Sequence, residues 1–273
     1  MFGTLLDYFI MRSLFQNLIG YLFLVSCSSA KDVPAFFTFG DSMVEVGNNN
    51  YLQTLAKANV SPFGIDFGKP TGRFTNGRTI FDILQQVLGF KNFTPPYLAP
   101  TTVGDMLLQG VNYASSAAGI FNITGFYFIM EAAAFALSQD TYLDRLISTL
   151  RLELETLYNL DARNIIFSNV GLIGCIPFQK GLHLVAKGSC AGKLNQLAEK
   201  YNEKLKILLE KLNIDLEGAN FIYADTYRML QDITQNYVSY GLYKYPTFLD
   251  LSFTSIYNLI NNNSTWSVVF NRV

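Results

Sequence analysis

A serine that acts as a nucleophile needs an exposed hydroxyl, a base to take its proton, and donors for the negative charge that develops in the transition state. The residues that come nearest to this in the chain are Gly40-Asp41-Ser42, where the apolar run Phe36-Phe37-Thr38-Phe39 stops abruptly. Such a run has strand character, and open α/β sheets do their chemistry outside the carboxyl ends of their strands. Ser42 is therefore the candidate nucleophile, with capping of a following helix as its competing role. Asp41 is assigned to holding the turn rather than to acid–base work. The one histidine, His183, follows Lys180-Gly181-Leu182 and lies between Cys175 and Cys190. A base must come within hydrogen-bond reach of its nucleophile, and nothing in the sequence brings His183 to Ser42. One histidine and widely spaced cysteines offer no ligand set, so neither metal nor cofactor is expected.

Gly-Asp-Ser alone is an ordinary turn triplet, but here it continues as Met43-Val44-Glu45-Val46-Gly47-Asn48-Asn49-Asn50. Further blocks follow: Pro62-Phe63-Gly64-Ile65-Asp66-Phe67, Lys69-Pro70-Thr71-Gly72-Arg73-Phe74-Thr75-Asn76-Gly77-Arg78-Thr79, Gly110-Val111-Asn112-Tyr113-Ala114-Ser115-Ser116-Ala117-Ala118-Gly119, Val170-Gly171-Leu172-Ile173-Gly174-Cys175-Ile176-Pro177 and Phe221-Ile222-Tyr223-Ala224-Asp225. In this order they closely resemble the plant GDSL esterase/lipase family, a branch of the SGNH hydrolases, from Val33 to about Leu242. The resemblance implies a hydrolase of acyl-chain esters, from lipids or from cell wall and cuticle, with Ser42 as nucleophile. It also implies an oxyanion hole lined by the backbone amide of Ser42 and by that of a second-block glycine. That glycine falls at Ala117 here, and an alanine donates its N–H equally well but is strained wherever φ is positive. The family's two remaining blocks, Gly-x-Asn-Asp and Asp-x-x-His, occur nowhere in the 273 residues. Two readings follow: a carboxylic-ester hydrolase acting by serine acyl transfer, or a catalytically inactive remnant or pseudoenzyme. A serine hydroxyl without its base is a poor nucleophile at neutral pH.

Positioning such a site requires alternating strands and helices. Strands are expected at Ala35 to Phe39, Met106 to Ala114, Asn164 to Val170 and Phe221 to Ala224. Helices are expected at Thr79 to Leu88, Tyr142 to Leu160 and Lys193 to Leu212, each with an apolar stripe at helical spacing. Asp225 and Thr226 are placed to cap one more helix. The pattern argues for an α/β fold with a parallel sheet covered by helices on both faces. The resemblance implies a flavodoxin-like three-layer sheet of the SGNH type. That sheet is expected to be incomplete. Thr124-Gly125-Phe126 runs within a few residues into Ala136-Leu137-Ser138-Gln139-Asp140, where family members insert several tens of residues, so the central strand is read as deleted near 126–137. Phe126-Tyr127-Phe128-Ile129-Met130 has the composition to replace part of it; otherwise two apolar edges are left open. The hydrolase domain is read as 31–242, and 243–273 as a tail unrelated to the family. Arg73, Asn76 and Arg78 are expected to satisfy loop carbonyls or line a pocket, and Asn48, Asn49 and Asn50 to shape a turn.

Half of the residues are hydrophobic and 15% are charged, which suits one globular domain and argues against disorder. A formal net charge of −1 gives no case for nucleic acid or an anionic membrane surface as partner; the resemblance implies a small-molecule or lipid ester instead. Arg12, the run Leu18-Ile19-Gly20-Tyr21-Leu22-Phe23-Leu24-Val25 and Ser28-Ser29-Ala30 form a signal-peptide pattern over 1–30. An uncleaved anchor is the competing reading, although the run is short for a span. The mature protein is then secreted, with no membrane span after signal removal. Its two cysteines, Cys175 and Cys190, suit one disulfide in an oxidising compartment, against two free buried thiols. Sequons at Asn59, Asn92, Asn122, Asn262 and Asn263 suit a glycoprotein, with Pro62 and Pro95 disfavouring the first two.

Overall fold

A computed structural model describes residues 33–121, 138–186 and 189–240, without the side chains of Pro177 and Phe178. The signal segment, the strand-like 126–130, the proposed deletion point, the tail and the sequons at Asn122, Asn262 and Asn263 lie outside the described residues.

Two short strands form where β-branched and aromatic residues alternate. β1 (Asn164–Ser168) and β2 (Asn220–Ala224) pair in parallel, Ile165 opposite Phe221 and Phe167 opposite Tyr223. Because successive side chains leave opposite faces, Ile165 and Phe167 enter one core while Ile166 enters another. The first core is closed by α2 (Gln139–Asn159) and α4 (Gly192–Asp215). Their buried stripes, Leu143, Leu146, Leu150 and Leu154 against Ala198, Tyr201, Leu205 and Leu212, recur every three or four residues. The second core joins α1 (Ile80–Val87) and α5 (Thr226–Gln235) to the same sheet through Ile80, Phe81, Leu84, Leu230 and Ile233. Helices therefore cover both faces of a small parallel sheet.

Local signals set the helix ends. Thr79 accepts from the Asp82 amide while the Asp82 carboxylate accepts from the Thr79 amide, a reciprocal cap that starts α1. Ser138 caps α2, three residues earlier than its apolar stripe suggests, and Asp225 caps α5 by accepting from the Arg228 amide. Asn213, near the end of α4, both donates to the Phe221 carbonyl and accepts from its amide at 2.8 and 2.6 Å. It thereby covers the outer edge of β2.

The expected second strand is shorter than its apolar run. Residues 35–40 are extended and lie parallel to 110–115. Phe36 N donates to Gln109 O (3.2 Å), Thr38 N to Val111 O (3.1 Å), Tyr113 N to Thr38 O (2.7 Å) and Ser115 N to Gly40 O (3.1 Å). The expectation of a strand from Met106 is overturned, because Gly104–Gln109 is a 3₁₀ turn with Leu108 exposed. Extension starts only at Gly110, whose φ of 107° and close approach to Phe36 exclude a side chain: a Cβ there would lie 2.1 Å from the Phe36 carbonyl oxygen. Among the described residues, these segments and the β1–β2 pair meet through core packing rather than through a shared strand.

Cys175 and Cys190 are joined by a disulfide across a Cα–Cα distance of 4.5 Å. It closes a loop that carries α3 (Pro177–Leu182) and His183. Closing a loop of this length stabilises by about 3 kcal/mol in the chain-entropy account. Among the described residues, no helix is long and apolar enough to cross a membrane, and no group of three or more His, Cys, Asp or Glu is placed to hold a metal.

Candidate active site

Ser42 lies in a turn at the exit of the extended segment 35–40. The Asp41 carbonyl accepts from Val44 N (3.3 Å) and Glu45 N (3.1 Å), and Asp41 Oδ1 accepts from Met43 N at 2.9 Å. Asp41 thus holds the turn with both of its acceptors. Burial pushes its carboxyl up to about 6, against the two amide bonds that favour the charged form.

A buried polar network ties this turn to the loop after Ala114. Asn48 Nδ2 donates to the carbonyls of Asn112 and Ala114 at 2.8 and 2.7 Å, and its Oδ1 accepts from Leu98 N. Asn112 Nδ2 in turn donates to Val44 O at 2.7 Å. Asn49 Nδ2 donates to Ala56 O, while its Oδ1 accepts from Ser115 Oγ at 2.6 Å and from Ser116 N at 3.2 Å. Glu45, with no exposed surface, accepts from Asn49 N at 2.6 Å and from Ser116 N at 2.7 Å. Burial raises its carboxyl to about 7, opposed by those two amides and reinforced by the Asp41 charge. Asn48 and Asn49 therefore do more than shape a turn: their side chains cross-link segments more than sixty residues apart. Runs of Asn in an apolar context carry that signal, since buried amides must find partners.

The loop so held places Ala117 at φ 69°, with Ala118 N donating to Ser115 O to close the turn. The strain foreseen for an alanine at this position is present. Among the described residues, the amides of Ser42 and Ala117 have no protein acceptor, and Ser42 Oγ has no hydrogen-bond partner. Ala117→Gly should stabilise the fold by up to about 1 kcal/mol by relieving the left-handed backbone. Urea unfolding checks this, and a loss of stability would show that the Ala117 methyl group matters more than its φ.

The other candidates lie elsewhere. Arg73 neither satisfies loop carbonyls nor lines the Ser42 cluster. Its guanidinium forms a buried two-point ion pair with Asp82 (Nε–Oδ2 2.8 Å, Nη2–Oδ1 2.9 Å) and lies over the rings of Phe67 and Phe93. Arg78 bonds Gln86 on the surface, and Asn76 is exposed. His183 is exposed at the end of α3, where its amide donates to Gln179 O. None of the hydrogen bonds that hold the Ser42 turn comes from a histidine.

Comparison with known proteins gives the family of the chain. The family model for the GDSL-like lipase/acylhydrolase matches residues 123–250. The chain is 43% identical to the GDSL esterase/lipase At4g16230 of Arabidopsis thaliana, over 79% of this chain and 73% of that protein. It is 38% identical to the GDSL esterase/lipase At2g23540 of the same plant (76% and 69% covered) and 36% identical to its GDSL esterase/lipase 7 (77% and 73% covered).

Proposed function

The chain belongs to the GDSL esterase/lipase family, and on that premise we propose that residues 40–45 and 115–118 form the acyl-accepting half of a serine ester-hydrolase site. The observation that carries this is the pair of backbone amides, of Ser42 and Ala117, left without acceptors on two segments that the Glu45 and Asn49 side chains fasten together. Such amides are the donors an ester oxygen meets as its carbon becomes tetrahedral. The substrate class is an acyl ester, of a lipid or of cell wall or cuticle. The proton-accepting half is not among the described residues: Ser42 Oγ has no base bonded to it, so the chain turns esters over slowly.

One observation favours the second reading, a non-catalytic remnant. The 43% alignment runs over 270 positions yet covers 79% of 273 residues, about 216, so roughly fifty aligned positions have no counterpart in this chain. That gap supports a deletion near 126–137 that removed the central strand. The secretory reading, with 1–30 as signal, rests on the sequence and is supported by the disulfide. On that reading Asn59 and Asn92, both exposed, are open to glycans, although Thr94 of the second sequon is engaged with Gln85.

Hydrolysis of a short-chain nitrophenyl ester by the full chain and by Ser42→Ala tests the proposal. The expected rate exceeds that of buffer, by up to roughly 10³–10⁴-fold, and falls at least tenfold in Ser42→Ala, which has no hydroxyl to accept the acyl group. No rate above buffer would favour the remnant. Fast turnover abolished by Ser42→Ala would show that a base is present.

A further inference from the structure

A carboxylate sealed from solvent is an expensive way to hold a loop. Ionised carboxyls are rarely fully buried without a cation or metal beside them. Glu45 has no exposed surface, and among the described residues its hydrogen-bond partners are the amides of Asn49 and Ser116, with no cationic side chain bonded to it. A neutral oxygen already reaches one of these groups, because Asn49 Oδ1 lies 3.2 Å from Ser116 N. Glu45 Oε2 holds the same amide at 2.7 Å. Shorter bonds are the stronger ones, so the Glu45 carboxyl provides a grip that the Asn49 amide alone does not.

What it grips matters. Ser116 is the residue before Ala117, whose φ of 69° is unfavourable for any residue with a Cβ and persists only if the surroundings impose it. On the other side Glu45 belongs to the turn of Ser42, through its own amide on the Asp41 carbonyl. We propose that Glu45 is a positioning residue: its carboxyl bridges the nucleophile turn and the Ala117 turn, and losing either of its two acceptor oxygens lets the second turn slip. This rests on the reading of Ala117 as an ester-oxygen donor, but the clasp itself is a property of the fold.

Neutral or ionised, a carboxyl keeps lone pairs on both oxygens, whereas an amide in its place offers one acceptor oxygen. The charged group that faces Glu45 is Asp41, of like sign, and burial together with Asp41 brings the change to about pH 7. Because the folded chain holds this proton more tightly than a water-exposed carboxyl does, the clasp should be firmer at pH 5.5 and loosen as Glu45 ionises towards pH 8.5.

Backbone hydrogen exchange on the full chain, corrected for intrinsic pH effects, reads this directly in peptides covering residues 113–118, with peptides from α4 as control. The expected result is a protection about tenfold lower at pH 8.5 than at pH 5.5, the scale of one hydrogen bond. Glu45→Gln should show low protection at both pH values, and Glu45→Asp should restore part of the pH dependence. Wild-type protection in Glu45→Gln, a flat pH profile in the unmodified chain, or an equal change in the α4 peptides would each overturn the clasp. If Glu45→Gln does not fold, the pH series on the unmodified chain decides alone. Absence of ester hydrolysis with the exchange pattern intact would count against the site reading and not against the clasp.

Discussion

A fluorophosphonate probe should label Ser42 slowly at every pH from 5 to 9. The probe mimics the tetrahedral intermediate and reacts at speed only with a serine whose proton is being removed. Neither neighbouring carboxylate does this, because Asp41 holds Met43 N and Glu45 holds Asn49 and Ser116. His183 is exposed on the loop closed by the disulfide, its amide bonded within α3. Disabling the base side of a serine triad lowers rates on the order of 10⁴-fold, and labelling should fall short of an ordinary serine hydrolase by about that factor. Any pH dependence should follow the Glu45 clasp, surviving His183→Ala and vanishing in Glu45→Gln. Rapid labelling lost in both Ser42→Ala and His183→Ala, with a midpoint near a histidine value of about 6.5, would prove the opposite: that His183 is recruited as base.

Asp82→Ala should be among the most damaging substitutions for stability, at about 3–5 kcal/mol. It strands the Arg73 guanidinium between Phe67 and Phe93 with no counter-charge, and it removes the acceptor of the Thr79 amide that starts α1. A loss of that size is a large share of the 5–15 kcal/mol by which domains are stable. Arg73→Met alone should also be costly, since it leaves the carboxylate buried and half-paired. The double variant Arg73→Met with Asp82→Ala should cost less than the sum of the two, with a coupling of 1 kcal/mol or more. Urea unfolding of the four proteins measures it. Additive losses would mean that the pair does not act as a unit.

Much of the frame was legible because it depends on near neighbours. Thr79 and Asp82 are three apart and announce α1 on their own, and the leucine stripes of α2 and α4 repeat within one helix. Misreadings arose where distant backbone decides. The run from Met106 reads as a strand until Gly110 meets Phe36, more than seventy residues away, and only from that contact does the chain extend. Arg73 carries no mark in the sequence that Asp82 will swing beneath it. At the proposed site, Ser42 is singled out by its strand exit and its family resemblance, and Ala117 by the resemblance alone. Glu45 could not, because its partner on Ser116 lies 71 positions along the chain and carries no side-chain signature.

The Asn213 amide imitates a neighbouring strand for one residue, returning to Phe221 both the acceptor and the donor that another backbone would offer. A sheet closed in this way on one flank can recruit an additional strand only on the other. Should copies of this chain associate edge to edge, the geometry favours a terminated pair over a growing stack, since Phe221 on the outer flank is already bonded internally. Asn213→Ala would reopen that flank, converting a self-limiting contact into one able to propagate; light scattering of the two proteins over time would register the change as a slope rather than a plateau.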